Sequence, residues 1–195
     1  MEHTHDRFRC PWCNGFEAYQ RYHDEEWGVP VWDDGKQFEF LVLESAQAGL
    51  SWATILKKRE GYREAFAGFD YRQVAEFPEG YVLDLLQNPA IIRNGAKIRS
   101  AIHNARLFME VQSKYGSFAN YIWGFVDGRP IQNSWDELGK IKPTTPISDA
   151  LAKDLKQKGF KFLGSTVVYA HMQATGLVND HLVGCFRYEE VKKLG

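Results

Sequence analysis

Cys10 and His23 near one end of the chain, and His181 and Cys185 near the other, form two half-sets of metal ligands. Two sulfurs and two imidazoles are the set that closes a tetrahedral Zn²⁺ shell. His181 and Cys185 stand four apart in Asn179-Asp180-His181-Leu182-Val183-Gly184-Cys185, a spacing that faces both side chains the same way on a helical turn. One ion bound by both halves would tie the first segment to the last. All four positions would be filled, so a structural rather than a catalytic zinc is expected. The gap from Cys10 to His23 is not a zinc-finger spacing, and Cys10-x₂-Cys13 is itself a ligand spacing. Spacing therefore leaves open which of the two cysteines binds.

A second constellation is Glu44-Ser45-Ala46-Gln47-Ala48-Gly49-Leu50-Ser51-Trp52. It combines a carboxylate on the edge of an apolar helix, a tight glycine turn, an apolar residue at that turn and an indole. A core Trp beside a surface Glu would be the plain explanation. The chemical one is a pocket with an aromatic wall and one anionic acceptor, suited to a planar cation or a base with exocyclic N–H donors. Trp12, Tyr19, Tyr22 and Trp27 add aromatic surface beside the candidate ligands. A third feature, Leu85-Leu86-Gln87-Asn88-Pro89-Ala90-Ile91-Ile92-Arg93-Asn94-Gly95-Ala96-Lys97-Ile98, reads as helix, turn, helix. Asn94, Gly95 and Lys97 would sit where free N–H groups and a cation meet a phosphate, although an ordinary αα-turn looks the same.

Helices must position these residues. Phe16 to His23 reads as a short helix. Lys36 to Gln47 is a helix with Phe38, Leu41, Val42 and Ser45 on one face, broken at Ala48-Gly49-Leu50. Ser51 caps the next, to Lys58. Short helices follow at Tyr62 to Phe66, Arg72 to Glu76 and Tyr81 to Gln87. Ala96 to Tyr115 is the longest, with Ile98, Ile102, Ala105 and Met109 at helical spacing. Phe118 to Phe125 follows, capped by Ser117. Asp127 to Pro146 reads as a long connection rich in Gly and Pro. Ser148 is expected to cap a helix to Lys158, stopped by Gly159, and Ser165 to Thr175 ends at Gly176. No convincing strand pair and no internal repeat is present, so the expected class is all-α.

The bounds agree. At 195 residues and 44% hydrophobic, the chain suits one domain, or a domain with a small lobe, with a sizeable core. Lys and Arg number 24 against 25 Asp and Glu, for a net charge of -1, so a nucleic-acid partner must use a local basic face. Three cysteines argue against a disulfide framework and for a reducing cytosol. Met1 to Arg9 lacks an apolar stretch, so no secretory signal is read. No apolar run is long enough to span a bilayer, so no membrane partner is expected.

Together these pieces are specific. From Cys10 to about Cys185 the chain resembles the bacterial 3-methyladenine DNA glycosylase I family, a zinc-bearing branch of the helix-hairpin-helix glycosylases. The runs that carry the likeness are Arg9-Cys10-Pro11-Trp12, Tyr22-His23-Asp24-Glu25-Glu26-Trp27-Gly28-Val29-Pro30, Gln47-Ala48-Gly49-Leu50-Ser51-Trp52, Ile55-Leu56-Lys57-Lys58-Arg59-Glu60, Gly159-Phe160-Lys161-Phe162-Leu163-Gly164 and Gly176-Leu177-Val178-Asn179-Asp180-His181.

The resemblance implies a single glycosylase domain over residues 1–195, with the hairpin near residues 81–115 and zinc joining the terminal segments. It implies Cys10, His23, His181 and Cys185 as zinc ligands, which favours Cys10 over Cys13. Glu44 would hydrogen-bond the flipped base, Trp52 would stack on it and Tyr22 would line the pocket, with Trp12, Tyr19 and Trp27 nearby. Leu50 would wedge into the DNA stack, and Asn94, Gly95 and Lys97 would grip the backbone, without the Gly-x-Gly of many relatives in the wider superfamily. Methylation at N3 makes adenine cationic and weakens its bond to the sugar, so the base leaves neutral with little acid catalysis. Wider relatives use an Asp after the hairpin to assist water; none occurs here between Lys97 and Asp127. With no Lys nucleophile in evidence, the expectation is a monofunctional, monomeric enzyme acting on alkylated double-stranded DNA in the cytoplasm. Two rival classes are a non-catalytic zinc-stabilised DNA-binding module and a zinc hydrolase using Asp24-Glu25-Glu26. Intact Glu44 and Trp52 argue against the first, and a closed Cys₂His₂ shell against the second.

Overall fold

The computed structural model describes residues 7–195; the reading of Met1 to Arg9 as no secretory signal falls mostly outside them. Its helices are α1 (Glu17–Glu25), α2 (Asp34–Gln47), α3 (Trp52–Lys57), α4 (Arg59–Ala65), α5 (Tyr71–Ala75), α6 (Glu79–Leu85), α7 (Gly95–Tyr115), α8 (Phe118–Trp123), α9 (Pro146–Gln157), α10 (Ser165–Ala174) and α11 (Phe186–Lys192). None is long and apolar enough to cross a membrane.

Helix α2 is the hub. Every residue from Gln37 to Ala46 is buried, because α7, α8, α10 and α3 pack around it. Its ends are fixed by local chemistry. The Asp33 carboxylate accepts from the Lys36 amide at 2.8 Å, and Asp34 accepts from the amides of Phe118 and Ala119 that open α8. The Asn94 side chain caps α7 at the Lys97 amide, and Ser51 and Ser117 cap α3 and α8. The main core lies between α2, α5, α7, α8 and α10, with Phe38, Phe108 and Phe118 in ring contact. A smaller apolar cluster gathers Cys10, Tyr22, Trp27, Phe40, Leu182 and Cys185 where the two terminal segments meet.

Four local expectations are corrected. First, a strand pair exists: β1 (Ile131–Gln132) runs parallel to β2 (Val178–Asn179), in register Ile131↔Val178, and a bridge joins Trp135 to Leu182. These anchor the 127–146 connection against the C-terminal segment. Second, Thr145 rather than Ser148 caps α9; Ser148 is the third helical residue and returns a bond to the Thr145 amide, completing a capping box. Third, His181 to Cys185 is not a helical turn: Cys185 has extended backbone and stands just before α11, a helix the sequence reading does not include. Fourth, α7 begins at Gly95. Gly176 turns the chain at φ 75°, and a Cβ there would lie 2.4 Å from the Val29 carbonyl carbon, so only glycine lets α10 end against the Val29 to Pro30 backbone.

Candidate active site

The α2–turn–α3 segment builds one wall of a cavity of about 200 Å³. Glu44 comes from the last full turn of α2. The chain then reverses at Gly49, φ 81°, with the Leu50 amide closing on the Gln47 carbonyl, and Trp52 opens α3. Helix α1 supplies Tyr19 and Tyr22, and the turn Pro11–Cys13 supplies Trp12. Tyr22 and Trp52 lie 5.3 Å apart between ring centroids, Trp12 and Tyr19 5.3 Å, and Trp12 and Trp27 4.9 Å. Sequence reasoning missed the remaining lining: Gln47, Ile141 from the 127–146 connection, and Ala170 and Gln173 from α10. Gln173 and Ala170 share a helix with core residues, so nothing local marked them.

Glu44 is only 3% exposed. Its Oε2 and the Trp52 Nε1 are buried without a hydrogen-bond partner among the described residues. Burial with no cation nearby pushes the Glu44 carboxyl up to about 8. Burial, then the adjacent Glu44, drives the Tyr22 phenol well above its usual range. A native fold rarely leaves such atoms unpaired; here the cavity holds both an unused acceptor and an unused donor.

Behind the aromatic wall, Cys10, His23, His181 and Cys185 are all buried, with their ligand atoms within 4.8 Å of one another, a group that could hold a metal ion. Each imidazole is oriented from outside the group. His23 Nδ1 meets Asp24 at 2.7 Å, which turns Nε2 toward Cys185 Sγ at 3.4 Å. His181 Nε2 meets the Trp27 carbonyl at 3.0 Å, which turns Nδ1 toward both sulfurs. Cys13 stands aside, its thiol donating to the Cys10 carbonyl. Trp27 joins cluster to cavity, 4.6 Å from the His181 ring and in contact with Trp12.

The residues expected at DNA are distributed differently. Leu50 sits at the turn, 41% exposed, beside the cavity. Asn94 spends its side chain on the α7 cap. The Lys97 ammonium is bound to the carbonyls of Ala46 and Ala48, at 2.8 and 2.6 Å. The turn between α9 and α10 is more open: Lys153, Lys156, Lys161, Phe162, Gly164 and Ser165 are among the residues lining a groove of about 550 Å³. Phe162 is held at φ 57° and 40% exposed, and no side chain caps the α10 N-terminus.

Residues 12–188 match the Methyladenine glycosylase family. DNA-3-methyladenine glycosylase 1 of Escherichia coli (strain K12) is 47% identical over 180 residues, covering 92% of this chain and 96% of that protein. A crystal structure of 3-methyladenine DNA glycosylase I superposes with a TM-score of 0.89 at 51% identity, covering 92% of this chain and 98% of the other. The Staphylococcus aureus 3-methyladenine DNA glycosylase I, solved to explain 3-methyladenine recognition, gives 0.88 at 36% identity, over 91% of this chain and 95% of that one. The chain thus belongs to the Methyladenine glycosylase family.

Proposed function

We propose that the protein hydrolyses the N-glycosidic bond of 3-methyladenine in alkylated double-stranded DNA. One observation carries this reading: a buried carboxylate with a partnerless oxygen, walled by Trp and Tyr rings, in a cavity with room for a planar base. Glu44, which burial alone keeps protonated near neutral pH, would ionise against a cationic purine and then accept from its exocyclic amine. Trp52 and Tyr22 supply π-faces, and base–aromatic stacking is worth about 1–3 kcal/mol per base. Leu50 fills the gap that the flipped nucleotide leaves. The base is already activated by its methyl group, so the protein's task is to extract it, discriminate it and admit water to the sugar.

No lysine lines the cavity, which supports hydrolysis without a Schiff base. Asp180 follows α10, yet it is 1% exposed and its oxygens accept from Asn133, Trp135, Tyr169 and Gln173. A carboxylate so occupied is a brace for the wall and not a base for water.

The cluster fits zinc in a structural role. Zn–S near 2.3 Å and Zn–N near 2.0–2.1 Å at tetrahedral angles separate sulfur from nitrogen by about 3.6 Å. The observed separations of 3.4, 3.7 and 3.8 Å bracket that value. Bound there, zinc would supply cross-linking and no open position for water. For the DNA backbone, the exposed charge favours the α9–α10 turn, where the open N-terminus of α10 stands beside exposed Lys161, over the Asn94 to Lys97 turn, whose Lys97 ammonium is already bound to Ala46 and Ala48. The helix-hairpin-helix element is accordingly assigned to α9 and α10.

The test is incubation with methylated duplex DNA and identification of the released base. The expected result is free 3-methyladenine with an abasic, uncut strand. DNA binding without base release would make this a binding module and end the proposal.

A further inference from the structure

Helix α2 ends without the usual help. The residue that follows its last turn, Ala48, leaves helical geometry at φ -42° and ψ 114°, and the Leu50 amide closes on the Gln47 carbonyl alone. Orphan carbonyls at a helix C-terminus require donors, and a cation there also complements the helix dipole. The donor comes from 51 and 49 positions away in the sequence. Lys97, in the first turn of α7, reaches over and donates to Ala46 O at 2.8 Å and to Ala48 O at 2.6 Å. Its ammonium is partly buried and forms no ion pair with a carboxylate among the described residues. The amine is therefore spent on two backbone carbonyls, one either side of Gln47. Immediately beyond them come Gly49 at φ 81° and the exposed Leu50.

We infer that Lys97 is a positioning residue for base extraction: it clamps the end of α2 so that the Gly49 turn presents Leu50 rigidly toward the duplex. The inference rests on the function proposed above and replaces a direct phosphate contact as the main role of Lys97. Glu44 and Trp52 are held by other means, Glu44 within buried α2 and Trp52 by contact with Tyr22. The clamp thus governs the tip of the loop and leaves the base-binding wall in place.

The two roles for Lys97 separate in one experiment. Lys97→Met keeps the stem and removes the donors; Lys97→Arg keeps donors and charge. Single-turnover excision from alkylated duplex, 3-methyladenine titration and the salt dependence of DNA binding are measured for each, alone and combined with Leu50→Ala. Clamping predicts that Lys97→Met lowers duplex excision by about 10- to 100-fold, with free-base affinity within about twofold of wild type and the salt slope unchanged. Lys97→Arg restores most of the loss, and in the Leu50→Ala background Lys97→Met costs little more. Lys97→Leu, which also removes the donors, carries the same comparison should the methionine variant fail to fold. A salt slope reduced by about one, a penalty that multiplies fully with Leu50→Ala, or wild-type excision overturns the inference. Wild-type protein that releases no 3-methyladenine would instead remove the function on which it rests.

Discussion

Glu44 is held in the folded protein at a cost. Its carboxyl moves from a usual value of 4.5 to about 8 because burial disfavours the charged form and no cation offsets it. The folded state therefore keeps this proton where the unfolded chain has lost it. Below pH 4.5 both states are protonated; as pH rises from 4.5 to about 8 the Glu44 contribution to stability falls, and above that it is flat. Glu44→Gln removes the titration. It is expected to be more stable than wild type at pH 9 by about 1–3 kcal/mol, with the difference gone near pH 4. The same variant loses the acceptor charge, so 3-methyladenine binding and excision fall by tenfold or more, on the order of one charged hydrogen bond. Denaturant melts at the two pH values, run beside a base titration, test both halves. Equal stability at both pH values, or wild-type base affinity, would mean that Glu44 is not the strained acceptor described here.

At the level of elements, two helix–turn–helix units, α6–α7 and α9–α10, are candidates for the DNA-backbone contact proposed above. In α6–α7 the Asn94 side chain caps α7 and the Lys97 ammonium is taken up at the end of α2. In α9–α10 the Gly159 carbonyl bonds to His103, the Lys161 backbone to Asn104 and the Ser165 hydroxyl to Asp149, while the side chains of Lys153, Lys156 and Lys161 are exposed around a helix start with no side-chain cap. Lys161→Ala is predicted to weaken binding to any duplex alike and to reduce the salt slope by about one, while free-base affinity holds. Unchanged affinity at low salt would move the grip elsewhere. The sequence made α2 and α7 legible because apolar residues recur there over three turns or more. It could not signal β1 and β2, since two residues carry no period, or α11, whose seven residues follow Cys185 with little repeat. The start of α9 was readable from Thr145-Pro146, with Pro at the first helical position, but Ser148 drew the assignment to itself. Glu44, Trp52 and the four-ligand set were visible as residue types; Gln173 and Ile141 reach the cavity only through tertiary packing.

Across the whole molecule the net charge of -1 offers no general attraction to DNA, so specificity must come from local charge and from a rigid cavity. The Cys/His cluster is where the two terminal segments meet behind that cavity. It joins residues separated by 171 positions in sequence, and its Trp27 contact continues into Trp12 on the cavity wall. Asp24 is the outermost link, since its bond to His23 Nδ1 fixes which imidazole nitrogen faces the sulfurs and Arg9 holds it in turn. Removing such an outer partner ordinarily costs about 10- to 100-fold in metal affinity. Asp24→Asn is therefore predicted to retain zinc as purified but to release it to a competing chelator at far lower concentration than wild type. Cys185→Ala should lose the metal outright and melt well below wild type, because such a site contributes folding free energy. Cys13→Ala should match wild type in metal content, as its thiol bonds to the Cys10 carbonyl and lies outside the ligand group. In all three proteins, 3-methyladenine affinity should follow zinc occupancy, because the ring that contacts His181 also braces the cavity. Metal analysis, thermal melts and base titration on the same preparations decide it: a zinc-free Cys185→Ala that still binds the base as wild type would disconnect the cluster from the cavity.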